Sequence, residues 1–89
     1  MQDHKDYDIV VKDEEGGEHK MKVYIPDDVF EEQELEHLLD QLQEDEDTAA
    51  VVLKVMKSGR HERVVMKYNN HEHLTLSKGD YGLVVERDQ

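Results

Sequence analysis

The 89-residue chain predicts an α+β fold: a single helix packed on an antiparallel sheet of about five strands, in the order β-β-α-β-β-(β)-β. Three observations predict it. Apolar residues alternate along two N-terminal stretches. Four leucines in the middle recur at helical spacing. Short polar, Gly-containing segments punctuate a Val-rich C-terminal half. The length fits one domain spanning residues 1–89, with a compact core and no large internal cavity.

The first stretch, "YDIVVK", sets Tyr7, Ile9 and Val11 on one face against Asp8 and Lys12, with Val10 the exception. The second, "KMKVYIP", aligns Met21, Val23 and Ile25. Between them "DEEGGEH" offers Gly16 and Gly17 for positive φ, so the pair reads as a β-hairpin. Pro26 closes the second strand. Asp28 followed by Glu31 resembles a capping box opening a helix, whose stripe is Leu35, Leu38, Leu39 and Leu42 and whose end falls near Glu44. Neither Val29 nor Phe30 shares that stripe. The first turn is expected to bend so that both cap the core, the alternative being Phe30 as an exposed anchor for a partner.

"TAAVVLKVMKSGRHERVVMKYN" then predicts a second hairpin about Ser58-Gly59. In that register Lys54 opposes Arg63, Val52 opposes Val65 on the outer face, and Leu53, Val64 and Met66 face the helix. "SKGD" separates "LTL" from "YGLVVER", a third hairpin or a bent last strand.

The chain carries 23 acidic and 11 basic groups, net −12, which argues against nucleic acid or an anionic membrane as a direct partner and points to a cationic one. It has no cysteine, so disulfides, thiol catalysis and thiolate metal sites are excluded. The opening "MQDHKDYD" lacks the basic start of a signal peptide, and the apolar run Ala49 to Leu53 is far too short to span a bilayer. A cytoplasmic protein is expected.

The strongest signal is "EEQELEHLLDQLQEDED", residues 31–47, with nine carboxylates and no Lys or Arg. On a helix Glu32, Glu36, Asp40 and Glu44 form one row, spaced about 6 Å along the axis. Like charges four apart cost roughly 0.2–0.5 kcal/mol each. Asp45, Glu46 and Asp47 follow where that helix's dipole favours cations. Two readings account for this: a solvated face, as in a salt-adapted protein, or a surface that docks a basic partner and displaces nucleic acid from it.

Charge is also segregated. Residues 1–47 hold 18 acidic and four basic groups, whereas residues 48–68 hold one acidic group and five basic ones, Lys54, Lys57, Arg60, Arg63 and Lys67. On the expected hairpin these five make an alternative basic face, for nucleic acid, an acidic protein or the acidic helix of a second copy. Their bland role is to deter strand aggregation.

His71 and His73 form an H-x-H pair that could give two metal ligands, but no third ligand is evident, and no cofactor is expected. There is no G-x-S-x-G, P-loop, G-x-G-x-x-G or H-E-x-x-H, and the carboxylates read as exposed, where acid–base tuning is weak. The expectation is therefore a small acidic non-enzymatic binding or regulatory protein. It would act on a basic protein surface through Glu32, Glu36, Asp40, Glu44, Asp45, Glu46, Asp47 and Phe30. In charge and size it resembles the nucleic-acid-mimicking inhibitors that phages and mobile elements encode. The alternatives are a partner- or nucleic-acid-binding module using the basic hairpin, and a metal-binding protein using His71 and His73. Either a monomer or a homodimer through the Val52/Val65 sheet face is expected.

Overall fold

A computed structural model of the chain describes residues 4–58, 63–68 and 72–88. The N-terminal hairpin joins β1 (His4–Lys12) to β2 (Glu18–Pro26), with Ile9 opposite Met21 and Tyr7 opposite Val23. Its alternation holds: Ile9, Val11, Val23 and Ile25 are buried. In the loop Gly16 takes φ +83°. The Asp13 carboxylate accepts hydrogen bonds from the backbone N–H of Glu15 at 3.0 Å and of Gly17 at 2.7 Å. His19, 2.9 Å away, and the Gly17 N–H hold the Asp13 carboxyl below its ordinary pKa. A Cβ at Gly17 would stand 2.7 Å from that carboxylate, so a side chain there would make the Asp13 carboxylate shift from this arrangement.

After Pro26 the chain turns through Asp28, whose φ is +61°, and enters α1 (Glu32–Glu44). The expected Asp28–Glu31 cap lies one turn too early. Glu31 is the N-cap, and the Glu34 carboxylate reaches back to accept its N–H at 3.2 Å. Leu38 and Leu42 are fully buried, with Leu35 and Leu39 packed beside them.

The second half of the chain departs from the expected hairpin. Residues 46–57 are a second helix, α2 (Glu46–Lys57), so the fold has two helices and not one. Asp45 alone joins the two. Its N–H closes α1 on the Gln41 carbonyl at 3.1 Å, and its carboxylate accepts from the Thr48 N–H at 3.0 Å and the Thr48 hydroxyl at 2.7 Å. The Thr48 hydroxyl, then its N–H, hold the Asp45 carboxyl below its ordinary pKa. The physical reason for the departure is burial. Ala49, Val52 and Leu53 recur at i, i+3 and i+4, and with Val55 they enter the core, which outweighs the strand preference of the valines.

Three short strands complete the sheet: β3 (Arg63–Lys67), β4 (His73–Lys78) and β5 (Leu83–Asp88). The last two form the expected third hairpin, with Leu76 opposite Val85. The sheet order is β1-β2-β5-β4-β3. β2 and β5 run parallel, with Val23 beside Leu83 and Tyr24 beside Val84, so the sheet is mixed and not antiparallel throughout. β5 is central, and its "LVV" run suits a strand with neighbours on both sides.

Both helices cover one face of the sheet, where Leu74, Leu76, Leu83 and Val85 join the N-terminal hairpin in one core. Among the described residues no element covers the opposite face. Val52 is buried in α2, and Val65 lies on the open face, 59% exposed. The two are not cross-strand neighbours, so the shared outer face expected from their pairing is not formed. Lys54, on α2, likewise does not oppose Arg63, whose partner is Ser77. Among the described residues no helix is long and apolar enough to cross a membrane.

Candidate functional site

The acidic helix surface is built as the leucine spacing requires. With Leu38 and Leu42 turned to the core, Glu32, Glu36, Asp40 and Glu44 are all exposed on the outer side of α1. The row spans about 18 Å along the axis. Among the described residues, none of the four has an ion-pair partner within 4.0 Å. Some carboxylates of and beside the N-terminal hairpin do meet lysines. Asp6 and Asp8 share Lys22 at 3.1 and 3.5 Å, and Asp27 meets Lys5 at 3.5 Å. Lys22 hydrogen-bonds Asp6 and holds its carboxyl below the ordinary value.

The rest of the acidic run has work within the fold. Asp45 caps α2. Glu46 and Asp47 occupy its first turn, where the helix dipole favours anions. The expectation that these three sit at an unfavourable helix C-terminus is reversed by the second helix. They remain exposed and extend the anionic surface beyond Glu44.

Phe30 precedes α1 and is half-buried. Its ring meets Tyr68 edge-on, with centroids 6.0 Å apart at 86°, and the Arg87 guanidinium lies 4.8 Å from its centroid. Arg87 Nη1 donates to the Val29 carbonyl at 2.7 Å, Nε donates to Glu72 at 2.7 Å, and Nη2 donates to Glu34 at 3.2 Å. The Tyr68 hydroxyl donates to the Glu34 carbonyl at 3.2 Å, and burial, followed by the nearby Glu34 charge, raises its pKa. This cluster ties the approach to α1 and the helix itself to Arg87 on β5, Tyr68 just after β3 and Glu72 just before β4. Phe30 is therefore a packing element, as the expected bend implies, and not a freely exposed anchor. Arg87 was not singled out from the sequence. The only available hint was a cation in "VVER" at a position alternating with the buried Leu83 and Val85.

The basic residues do not gather on one hairpin. Lys54 and Lys57 are exposed in the last turn of α2, where they suit its dipole, while Arg63 and Lys67 point from β3 on the open face of the sheet. Arg60 lies outside the described residues, as does His71. His73 is exposed on β4, next to Lys67 across the ladder. Among the described residues no group of three His, Asp or Glu side chains could hold a metal ion.

No protein-family model, curated protein or solved structure shows a significant match to the chain.

Proposed function

We propose that the protein is a non-enzymatic binding protein that engages a basic protein surface through the exposed side of α1 and the start of α2. One observation carries the reading: Glu32, Glu36, Asp40 and Glu44 form an exposed row without counter-ions among the described residues, while Asp6 and Asp8 on β1 and Asp27 just after β2 are each paired with a lysine. A surface left charged at a cost of tenths of a kcal/mol per like pair is ready to receive cations from outside.

In its finer form the protein is an inhibitor of phage or mobile-element type that occupies a nucleic-acid-binding groove. The row's spacing of about 6 Å is sparser than the charge spacing of roughly 3.4 Å per strand in duplex DNA. The general form, a basic protein surface, is accordingly the better supported, and the groove-occupying form rests on Asp45, Glu46 and Asp47 adding to the row.

The test compares two charge reversals of equal size: Glu36→Lys/Asp40→Lys on α1, and Glu14→Lys/Glu15→Lys in the exposed β1–β2 loop. Each immobilised protein captures its partner from the source cell, and mass spectrometry identifies it. Loss of the partner with the α1 variant alone supports the surface. Retention by both variants, or equal loss from both, overturns it. Displacement of the captured partner by duplex DNA supports the groove-occupying form, and indifference to DNA rules that form out.

A further inference from the structure

The open face of the sheet holds a second feature, remote from the α1 row. Tyr24 on β2 and Val84 on β5 stand side by side on that face in parallel register. The β4–β5 turn closes over them. The Gly79 N–H donates to the Gly82 carbonyl at 2.8 Å, and Gly82 is buried so tightly on β2 that a Cβ there would collide with the Lys22 carbonyl. A Cβ on Gly79 would in turn stand 2.7 Å from the Val84 side chain. The turn is thus pinned against the sheet, and it holds Asp80 and Tyr81 beside Tyr24. Tyr81 is 82% exposed, a large aromatic ring with no packing duty in the fold.

Between these side chains lies an open groove of about 290 Å³, lined by His4, Tyr24, Gly79, Asp80, Tyr81 and Val84. Its size is at the low end for small-molecule sites, roughly 300–1,000 Å³, and suits one side chain. Its chemistry selects which one. Two tyrosine rings offer negative π faces. Asp80 is exposed and has no ion-pair partner among the described residues. The nearby polar side chains already have partners: His4 contacts Glu86 at 3.1 Å, and Lys22 is held by Asp6 and Asp8. What the groove lacks is a cation with a flat or apolar body. Guanidinium stacks on aromatic rings and pairs with carboxylates, whereas ammonium is a compact and strongly hydrated charge.

We infer that this groove is a binding site for an arginine side chain presented by a partner chain, with the guanidinium against Tyr24 and Tyr81 and its charge met by Asp80. The site is independent of the α1 surface, and either can fail without the other.

The experiment is an NMR titration of the labelled protein with N-acetyl-arginine amide, and with N-acetyl-citrulline amide as its neutral counterpart. Saturable shifts should appear at Tyr24 and over residues 79–84, with a millimolar dissociation constant. Citrulline amide should bind roughly two- to fivefold more weakly, the share that a cation over exposed aromatic rings contributes. Tyr81→Ala and Asp80→Asn should each weaken the arginine response severalfold, and both positions are exposed enough to leave the fold intact. Equal binding of citrulline amide would make this a site for a neutral planar group and overturn the inference. So would shifts confined to α1, shifts unchanged in both variants, or no saturable response.

Discussion

Replacing Arg87 by Met should be among the most damaging single changes on this largely exposed chain. Met keeps the length and packing of the stem and removes only the guanidinium. The guanidinium makes three hydrogen bonds, to Val29, Glu34 and Glu72, and one ring contact, to Phe30. The Arg87 side chain is 15% exposed, against 33% for Glu34 and 31% for Glu72. A hydrogen bond to a charged group is worth about 1.5–3 kcal/mol, and the cation–π contact adds about 0.5–1 kcal/mol. Both carboxylates can recover water once the arginine is gone, which draws their share toward the 0–1 kcal/mol or so of an exposed pair. The net expectation is a loss of about 2–3 kcal/mol, dominated by the Val29 carbonyl and the ring, with smaller terms from the carboxylates.

For a domain of this size each kcal/mol moves the melting temperature by about 4–8 °C, so the drop should be roughly 10–20 °C. Urea unfolding followed by circular dichroism measures it, with Arg87→Lys as the companion. Lysine keeps the charge, but its three donors radiate from one nitrogen and cannot span the Val29, Glu34 and Glu72 oxygens that the three guanidinium nitrogens reach, so it should recover less than about half of the loss. A loss below about 0.5 kcal/mol for Arg87→Met, the range of ordinary surface changes, would refute the reasoning and leave Arg87 a solvated side chain.

Three further outcomes are expected. Val52→Asp should cost about 3–5 kcal/mol or prevent folding, because it buries an unpaired charge, while Val65→Asp should stay within about 0.5 kcal/mol; similar costs in thermal melts would restore the hairpin pairing of the two. Asp45 titrates below its ordinary 3.8 in the folded state, so its contribution is fully present above that value and is lost as pH falls through the folded pKa. Asp45→Asn should therefore differ from the parent in urea midpoint above about pH 4 and converge with it at lower pH, and a pH-independent difference would count against the cap. Any self-association, driven by Lys54, Lys57, Arg63 and Lys67 against α1, should be weak and vanish by about half-molar salt as screening shortens; a salt-resistant dimer in sedimentation velocity would reveal an apolar interface on the open sheet face.

Legibility in the sequence followed how many physical causes acted on each residue at once. The N-terminal hairpin was legible to the level of faces because period-two alternation, a Gly-containing loop and Pro26 all agreed. The leucine stripe of α1 was legible for the same reason. In residues 46–57 the causes conflicted. Val51, Val52 and Val55 favour strand, and Val51, Leu53 and Val55 alternate, while the helical signals were the Asp45–Thr48 cap, the acidic first turn and the lysines near the end. The acidic part of those signals directly follows α1, so by position alone Asp45, Glu46 and Asp47 read equally well as the end of the preceding helix. The parallel β2–β5 contact was not legible, since nothing local distinguishes which strand a β-hairpin inserts beside. The Arg87 cluster was hidden for a related reason: it joins residues 53 and 58 positions apart in sequence.

The second helix also changes what the acidic run asks for. Of its nine carboxylates, Glu31 is the N-cap of α1, and Glu34 bonds both the Glu31 N–H and Arg87. Glu32 lies in α1's first turn, Asp45 caps α2, and Glu46 and Asp47 fill the first turn of α2. Each of these six has a local reason in helix termini, where anions are favoured by about 0.3–1 kcal/mol at low salt. Glu36, Asp40 and Glu44 have none. They cap nothing and pair with nothing among the described residues, and Glu44 sits in α1's last turn against that helix's dipole. Folding alone would accept lysine at Glu36 or Asp40 and gain from relieving the row. Charge reversal there should leave the melting temperature equal or higher while it removes a partner. A row that served the fold would lose both together.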